Sequence, residues 1–272
     1  MSGLVRLEAD RGVAVATIDA PPINVMTIPL YLELTQLCAE VETDRDIKVL
    51  VLRSADPDFF IAHFDVEAIL QFPTDGEPQR DSTPNPFHQM CERLRTMPKA
   101  TIAEINGRVG GGGSELASSC DMRFGAVGRT VVNQMEVPIG LLPGGTGTQR
   151  LPRLVGRGRA MEIVLGGVDI DAVTAERWGY LNRALPPGEL TPFVDALARR
   201  IAGFPAKAIA LAKESVLNAE RLPLSEGLAE ESLLFQRTLR DPEAQSAMRR
   251  FLEIGGQTRE PELRMGDLVT EI

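Results

Sequence analysis

Residues Asn106 to Glu115 read N-G-R-V-G-G-G-G-S-E. The stretch follows a short apolar run, Ala100 to Ile105, that has the composition of a buried strand. It leads into a helical stretch predicted over Ser114 to Ser119. Four consecutive glycines cost backbone entropy, so a folded chain needs a reason for them. One reason is a close approach by another backbone or by a ligand. A glycine turn that opens a helix presents free N–H groups and the positive end of the helix dipole, which suits an oxyanion. The other reading is a tight strand-to-helix turn with no ligand. Glu115 lies one turn into the same helix, so a carboxylate and a potential anion site are neighbours. Other glycine motifs do not fit. A dinucleotide fingerprint from Gly110 requires glycine at 115, a P-loop requires G-K-[ST], and a nucleophile elbow around Ser114 requires glycine at 116, where Leu116 stands.

Outward from that stretch the chain alternates. Val13 to Ile18 and Lys48 to Leu52 read as strands, with a helix over Ile28 to Val41 that starts near Pro29. Ala100 to Ile105 and Met122 to Val127 continue the strands, an α/β pattern. Gln71 to Pro86 is rich in Pro and Asp and reads as a mobile loop. Beyond about Leu190 the strands stop, and four helices are predicted over Thr191–Phe204, Ala206–Asn218, Leu224–Leu239 and Pro242–Ile254, punctuated by Pro205, Pro223 and Pro242. The tail after Gly255 is charged and poorly patterned. This divides the chain into a core over residues 1–200 and a C-terminal helical region over 201–272.

The 272 residues carry a net charge of −9, which opposes general nucleic-acid binding. A small polyanion remains compatible, since a few local Lys and Arg suffice. Cys38, Cys91 and Cys120 are scattered and odd in number, and read as reduced thiols in a reducing compartment. No apolar run is long enough to span a membrane, and the N-terminus lacks a signal-peptide core, so cytoplasm is expected. No His, Cys and Asp cluster has metal-ligand spacing.

A second carboxylate, Glu136, precedes the Pro/Gly-rich turn Pro143 to Gly147. Two carboxylates that converge on one pocket push their pKa values apart, so that one acts as acid and one as base. The plainer alternative is two surface glutamates. His63, within F-F-I-A-H-F-D-V, reads as a packed or hydrogen-bonded residue, and His88 as solvated. Arg150, Arg153, Arg157 and Arg159 read as a solvated or interface face.

Taken together, the motifs resemble the crotonase superfamily, the enoyl-CoA hydratase/isomerase family. Asn106 to Asp121 matches N-G-x-x-x-G-G-G-x-E-L-A-x-x-C-D. Met135 to Leu151 matches P-E-x-x-L-G-x-x-P-G-x-G-x-T-Q-R-L, with Met135 in place of proline, Ile139 in place of leucine and Thr146 in place of the third glycine. Gly158 to Ala172 matches the following helix and turn. The resemblance runs from about Val5 to Pro187, and more loosely through the C-terminal helices. It implies a crotonase-like spiral of ββα units with a C-terminal helical region that builds a homotrimer or hexamer. It implies an acyl-CoA thioester substrate and no separate cofactor, coenzyme A being part of the substrate. Glu115 and Glu136 fall on the two hydratase carboxylates. Gly112 and Phe64 fall on the two N–H donors of the oxyanion hole. The implied substrate contacts are Ala62, His63, Phe64, Asp65, Gly111 and Gly112.

The implied reaction is reversible hydration of a 2-trans-enoyl-CoA. A Δ3,Δ2-isomerase or another acyl-CoA enzyme of the same fold is the alternative, and a non-catalytic scaffold is a second. Retention of both carboxylates favours the hydratase, since one carboxylate suffices for a double-bond shift. Two departures bear on the substrate. His63-Phe64 replaces the usual Gly-Ala, and Leu252-Glu253-Ile254 follows Phe251 where a basic pair often stands.

Overall fold

The computed structural model describes residues 3–80 and 82–272. The chain opens with β1 (Val5–Asp10) and β2 (Val13–Ile18), then α1 (Ile28–Thr43). Three turns of a spiral follow. The first is β3 (Val49–Ser54), β4 (Phe59–Ile61), α2 (Val66–Ile69) and α3 (Pro86–Thr96). The second is β5 (Ala100–Ile105), β6 (Arg108–Gly110) and α4 (Gly111–Ser118). The third is β7 (Met122–Ala126), β8 (Val131–Asn133), a 3-10 turn at Val137–Ile139, α5 (Gly147–Val155) and α6 (Arg157–Gly166). Then come β9 (Ile170–Asp171), α7 (Ala172–Trp178) and β10 (Arg183–Leu185). Helices complete the chain: α8 (Pro187–Ala202), α9 (Ala206–Asn218), α10 (Leu224–Leu239), α11 (Pro242–Glu253), α12 (Arg259–Glu262) and α13 (Met265–Leu268).

In each turn the first strand joins a six-stranded sheet, ordered β1-β2-β3-β5-β7-β10. The second joins a four-stranded sheet, ordered β4-β6-β8-β9. Pairing is parallel except for β1 with β2 and β8 with β9. This is the expected spiral of ββα units. The V-L-V-L of β3 is buried throughout because it is covered on both faces. Leu50 and Leu52 enter the cluster beneath α1, α3 and α4, while Val49 and Val51 pack against Leu190, Val194 and Ala198 of α8. Arg53 pins α8 to the sheet, with a guanidinium nitrogen 2.7 Å from Glu104 and 2.6 Å from Asp195. Thr191 closes the group by donating to Glu104 at 2.6 Å.

Three features differ from expectation. First, β1 was not legible, because V-R-L-E-A-D is an edge strand with an exposed, charged surface. The turn that makes its hairpin is Arg11-Gly12, both at positive φ, the geometry that suits a two-residue connection. Second, α8 begins at Pro187, four residues before the predicted start. Pro187 occupies the first turn, where no intrahelical N–H is needed, and Pro192 is carried inside the helix. The expected domain boundary after residue 200 therefore falls inside α8. Third, the tail after Gly255 holds the short helices α12 and α13. The expected loop before α3 has no helix or strand over residues 71–80 and 82–85, and its residue 81 lies outside the described residues.

Candidate active site

The quartet of glycines spans the junction of β6 and α4. Helix α4 starts at Gly111, earlier than the predicted Ser114, and its residues are all buried. Gly111 adopts φ +44, a conformation L side chains rarely take. At Gly113 a Cβ would stand 2.5 Å from the carbonyl oxygen of Ile61 and 2.7 Å from its Cβ. Glycine thus lets α4 lie directly against the strand β4. That contact carries Gly112 next to Phe64, since a Cβ on Gly112 would stand 3.1 Å from Cβ of Phe64 and 3.4 Å from its backbone nitrogen. The N–H of Gly112 lies in the first helical turn and has no intrahelical acceptor.

Glu115, one turn on, is only 4% exposed. The turn before α5 wraps its carboxylate. The N–H groups of Gly145 and Gly147 both donate to Oε1, each at 2.8 Å. Between them Thr146 is held at φ 135, an uncommon backbone state of the kind found at functional turns. Burial pushes the Glu115 carboxyl up, against the pull of these N–H groups.

Glu136 opens the 3-10 turn and reaches the same cavity. Its carboxyl is pushed from an ordinary 4.5 to about 7, first by burial and then by the nearby charge of Glu115, with His63 opposing. Gln134, fully buried, supports this corner. With its amide nitrogen turned inward it donates to the Gly111 carbonyl oxygen at 3.3 Å and the Ser114 hydroxyl at 3.2 Å. Ser114 in turn bonds the phenol of Tyr180 at 3.0 Å.

The cavity holding both carboxylates measures about 670 Å3. Its floor is Gly112, Glu115 and Glu136. Its walls are Ile28 and Tyr31 of α1, Phe64, Ile69 and Phe72 around α2, the segment Asn85-Pro86-Phe87, and the turn Leu141 to Gly145. A larger cavity, about 990 Å3, lies among α8, α9, α11 and the tail. It is lined by arginines, two glutamates (Glu243 and Glu253), Phe204 and aliphatic residues, and lacks the glycine turn, so the smaller cavity is the candidate site.

The sequence-predicted residues divide. Phe64, Gly112, Glu115 and Glu136 line one cavity. Ala62, His63, Asp65 and Gly111 stand beside it. The carbonyl of Ala62 lies against Gly110. His63 is half-buried and Nδ1 bonds the Phe64 carbonyl oxygen at 2.8 Å, a hydrogen-bonded residue as expected. Asp65 caps α2 by accepting from Glu67 at 2.9 Å. His88 is not simply solvated. Its Nε2 bonds the Gly144 carbonyl oxygen at 2.7 Å and ties α3 to the turn around Glu115. Arg150 is also more than a surface cation, being largely buried and paired with Glu92 of α3. Arg153, Arg157 and Arg159 are exposed.

Sequence reasoning passed over Phe87, Tyr31 and Phe72. Phe87 follows N-P at the end of the loop. The signal was there, since Asn85 caps α3 by accepting from His88 at 2.8 Å and Pro86 fills the first helical position.

The family described as enoyl-CoA hydratase/isomerase matches residues 8–260. The chain is 31% identical over 250 residues to the short-chain-enoyl-CoA hydratase of Clostridium acetobutylicum, covering 92% of this chain and 94% of that protein. Among solved structures, enoyl-CoA hydratase from Bacillus anthracis superposes with a TM-score of 0.82 at 25% identity, over 92% of this chain and 96% of that one. DspI from Pseudomonas aeruginosa superposes with a TM-score of 0.83 at 30% identity, over 93% and 95%.

Proposed function

The chain belongs to the enoyl-CoA hydratase/isomerase family, and from that premise we propose that it is a hydro-lyase adding water reversibly to a 2-trans-enoyl-CoA to give a 3-hydroxyacyl-CoA. The observation that carries the reading is the pair Glu115 and Glu136 on one largely apolar cavity beside the glycine-opened helix.

The two carboxylates take different roles because their surroundings differ. Glu115 has two N–H donors on one oxygen, which favour its anion, so it accepts a proton from water. The hydroxyl oxygen then adds to C3 of the thioester. Negative charge moves to the thioester oxygen, where the N–H groups of Gly112 and Phe64 receive it. One such preorganised donor is worth roughly 3 kcal/mol. Glu136, which holds a proton up to about pH 7, delivers it to C2. The proton left on Glu115 returns through solvent to Glu136, which restores both carboxyls, so the net change is one water added across C3 and C2 with no separate cofactor.

The exposed apolar residues of α10, with Leu224 80%, Leu228 54% and Phe235 61% exposed, support assembly into a homotrimer or hexamer through the helices after residue 200. Among the described residues no helix is long and apolar enough to cross a membrane. The three buried free thiols fit a reducing compartment, the cytoplasm.

The test is incubation of the pure protein with a panel of 2-trans-enoyl-CoA and 3-enoyl-CoA thioesters, read by mass for the gain of one water. Hydration of crotonyl-CoA is expected. Double-bond migration without hydration would replace the hydratase by an isomerase, and no turnover of any thioester would favour a scaffold.

A further inference from the structure

Four aromatic rings line the cavity and touch in series. Tyr31 stacks on Phe87 with centroids 6.1 Å apart and planes 20° apart. Phe64 meets Phe87 edge-on at 5.8 Å and 79°. Phe72 lies 6.4 Å from Phe64 at 54°. Phe87 borders both the oxyanion residue Gly112 and the turn that holds Glu115. Its Cζ would stand 3.6 Å from a Cβ on Gly112, and its Cε1 2.6 Å from a Cβ on Gly145, the residue that bonds Glu115. The Phe87 and Phe64 rings thus form the apolar wall beside Gly112.

Among the described residues the lining carries no charge besides Glu115 and Glu136. An acyl group ending in a carboxylate would be desolvated there with no cationic partner and beside two glutamates, which is costly. Rings set at unlike angles present both faces and edges, the arrangement that suits another ring. A ring joined to the double bond also has few torsions to freeze, whereas an alkyl chain of equal carbon number loses several on binding.

Resting on the hydratase reading above, we propose that the acyl group this site accepts best has no anionic end and carries an aryl ring on C3, and that Phe87 is the residue that sets this preference.

The experiment measures binding apart from chemistry. Three saturated nine-carbon thioesters are titrated calorimetrically into the full-length protein: 3-phenylpropanoyl-CoA, nonanoyl-CoA and the ω-carboxylate analogue of nonanoyl-CoA. Nonanoyl-CoA exposes the larger apolar surface, so burial of area alone would favour it. The expected result is that 3-phenylpropanoyl-CoA binds about two- to tenfold more tightly, the range of an aromatic pair. The ω-carboxylate should bind most weakly. In Phe87→Leu the advantage of the aryl ligand over nonanoyl-CoA should vanish. Nonanoyl-CoA binding as tightly as the aryl ligand in the wild type would overturn the proposal, and so would an unchanged ratio in a folded Phe87→Leu protein. Either result would leave the hydratase reading standing if crotonyl-CoA is still hydrated. Failure of the wild type to hydrate any 2-trans-enoyl-CoA of the panel would overturn that reading and this one with it.

Discussion

The backbone N–H of Gly147 donates to Oε1 of Glu115 across 2.8 Å. The bond joins the first residue of α5 to the middle of α4, and the carboxylate it fixes is nearly inaccessible to solvent. An anion held by fixed N–H groups inside the protein does not need to reorganise when water approaches.

The first prediction follows from that bond. Glu115→Gln and Glu136→Gln should each lower turnover of crotonyl-CoA by a factor on the order of 10²–10⁴. The double variant should lose much less than the product of the two factors, because the carboxylates work as a unit. Wild-type hydration by either single variant would end the paired-carboxylate mechanism.

The second concerns pH. The Glu136 carboxyl titrates at about 7 in the folded chain against an ordinary 4.5, so the native state keeps a proton there that the unfolded chain has already lost. The stability linked to this proton is complete below pH ~4.5 and disappears as the pH rises through about 7. As the proton donor, the same group should make the hydration rate fall over the upper part of that window. Glu136→Gln cannot lose this proton. Its thermal midpoint should therefore rise relative to the wild type between pH 5 and pH 8, and its residual activity should lack the alkaline limb. Parallel melting curves and identical pH–rate profiles would contradict this.

Gly113→Ala tests why α4 begins with glycines. In an open helix the change is stabilising by about 1 kcal/mol. Here the new methyl would collide with the Ile61 backbone, so a loss of about 1–3 kcal/mol is expected in denaturant titration. A gain in stability would show that α4 has room to move off β4.

Assembly is checked by light scattering, with a mass near three or six chains expected. Leu228→Asp with Phe235→Asp should shift the protein toward smaller species, because both residues lie on the exposed apolar surface of α10. A monomer at micromolar concentration in the wild type would reject the oligomer.

The interior strands announced themselves because burial on both faces demands a run such as V-L-V-L, whereas α3 was passed over although Met90, Cys91 and Leu94 show the helical spacing of a covered face. The strands of the small sheet did not. β4, β6, β8 and β9 are two or three residues long, too short to display a period, and only their neighbours make them strands. His88 and Arg150 were misjudged for a related reason. A polar side chain looks solvated until the element opposite is known, and here the partners, Gly144 and Glu92, are 56 and 58 residues away.

The sequence by itself determined the α/β alternation, the helix opened by glycines, the two carboxylates and the family to which the ordered motifs point. Those are local properties, set by backbone freedom, periodicity and residue type. Only the tertiary structure decided that Glu115 and Glu136 share a cavity, that the carboxyl of Glu136 is driven to about 7, and that Tyr31, Phe64, Phe72 and Phe87 gather over them. Those properties depend on distance and on exclusion of water. Both arise only when α1, α3, α4 and the turn before α5 close around one space.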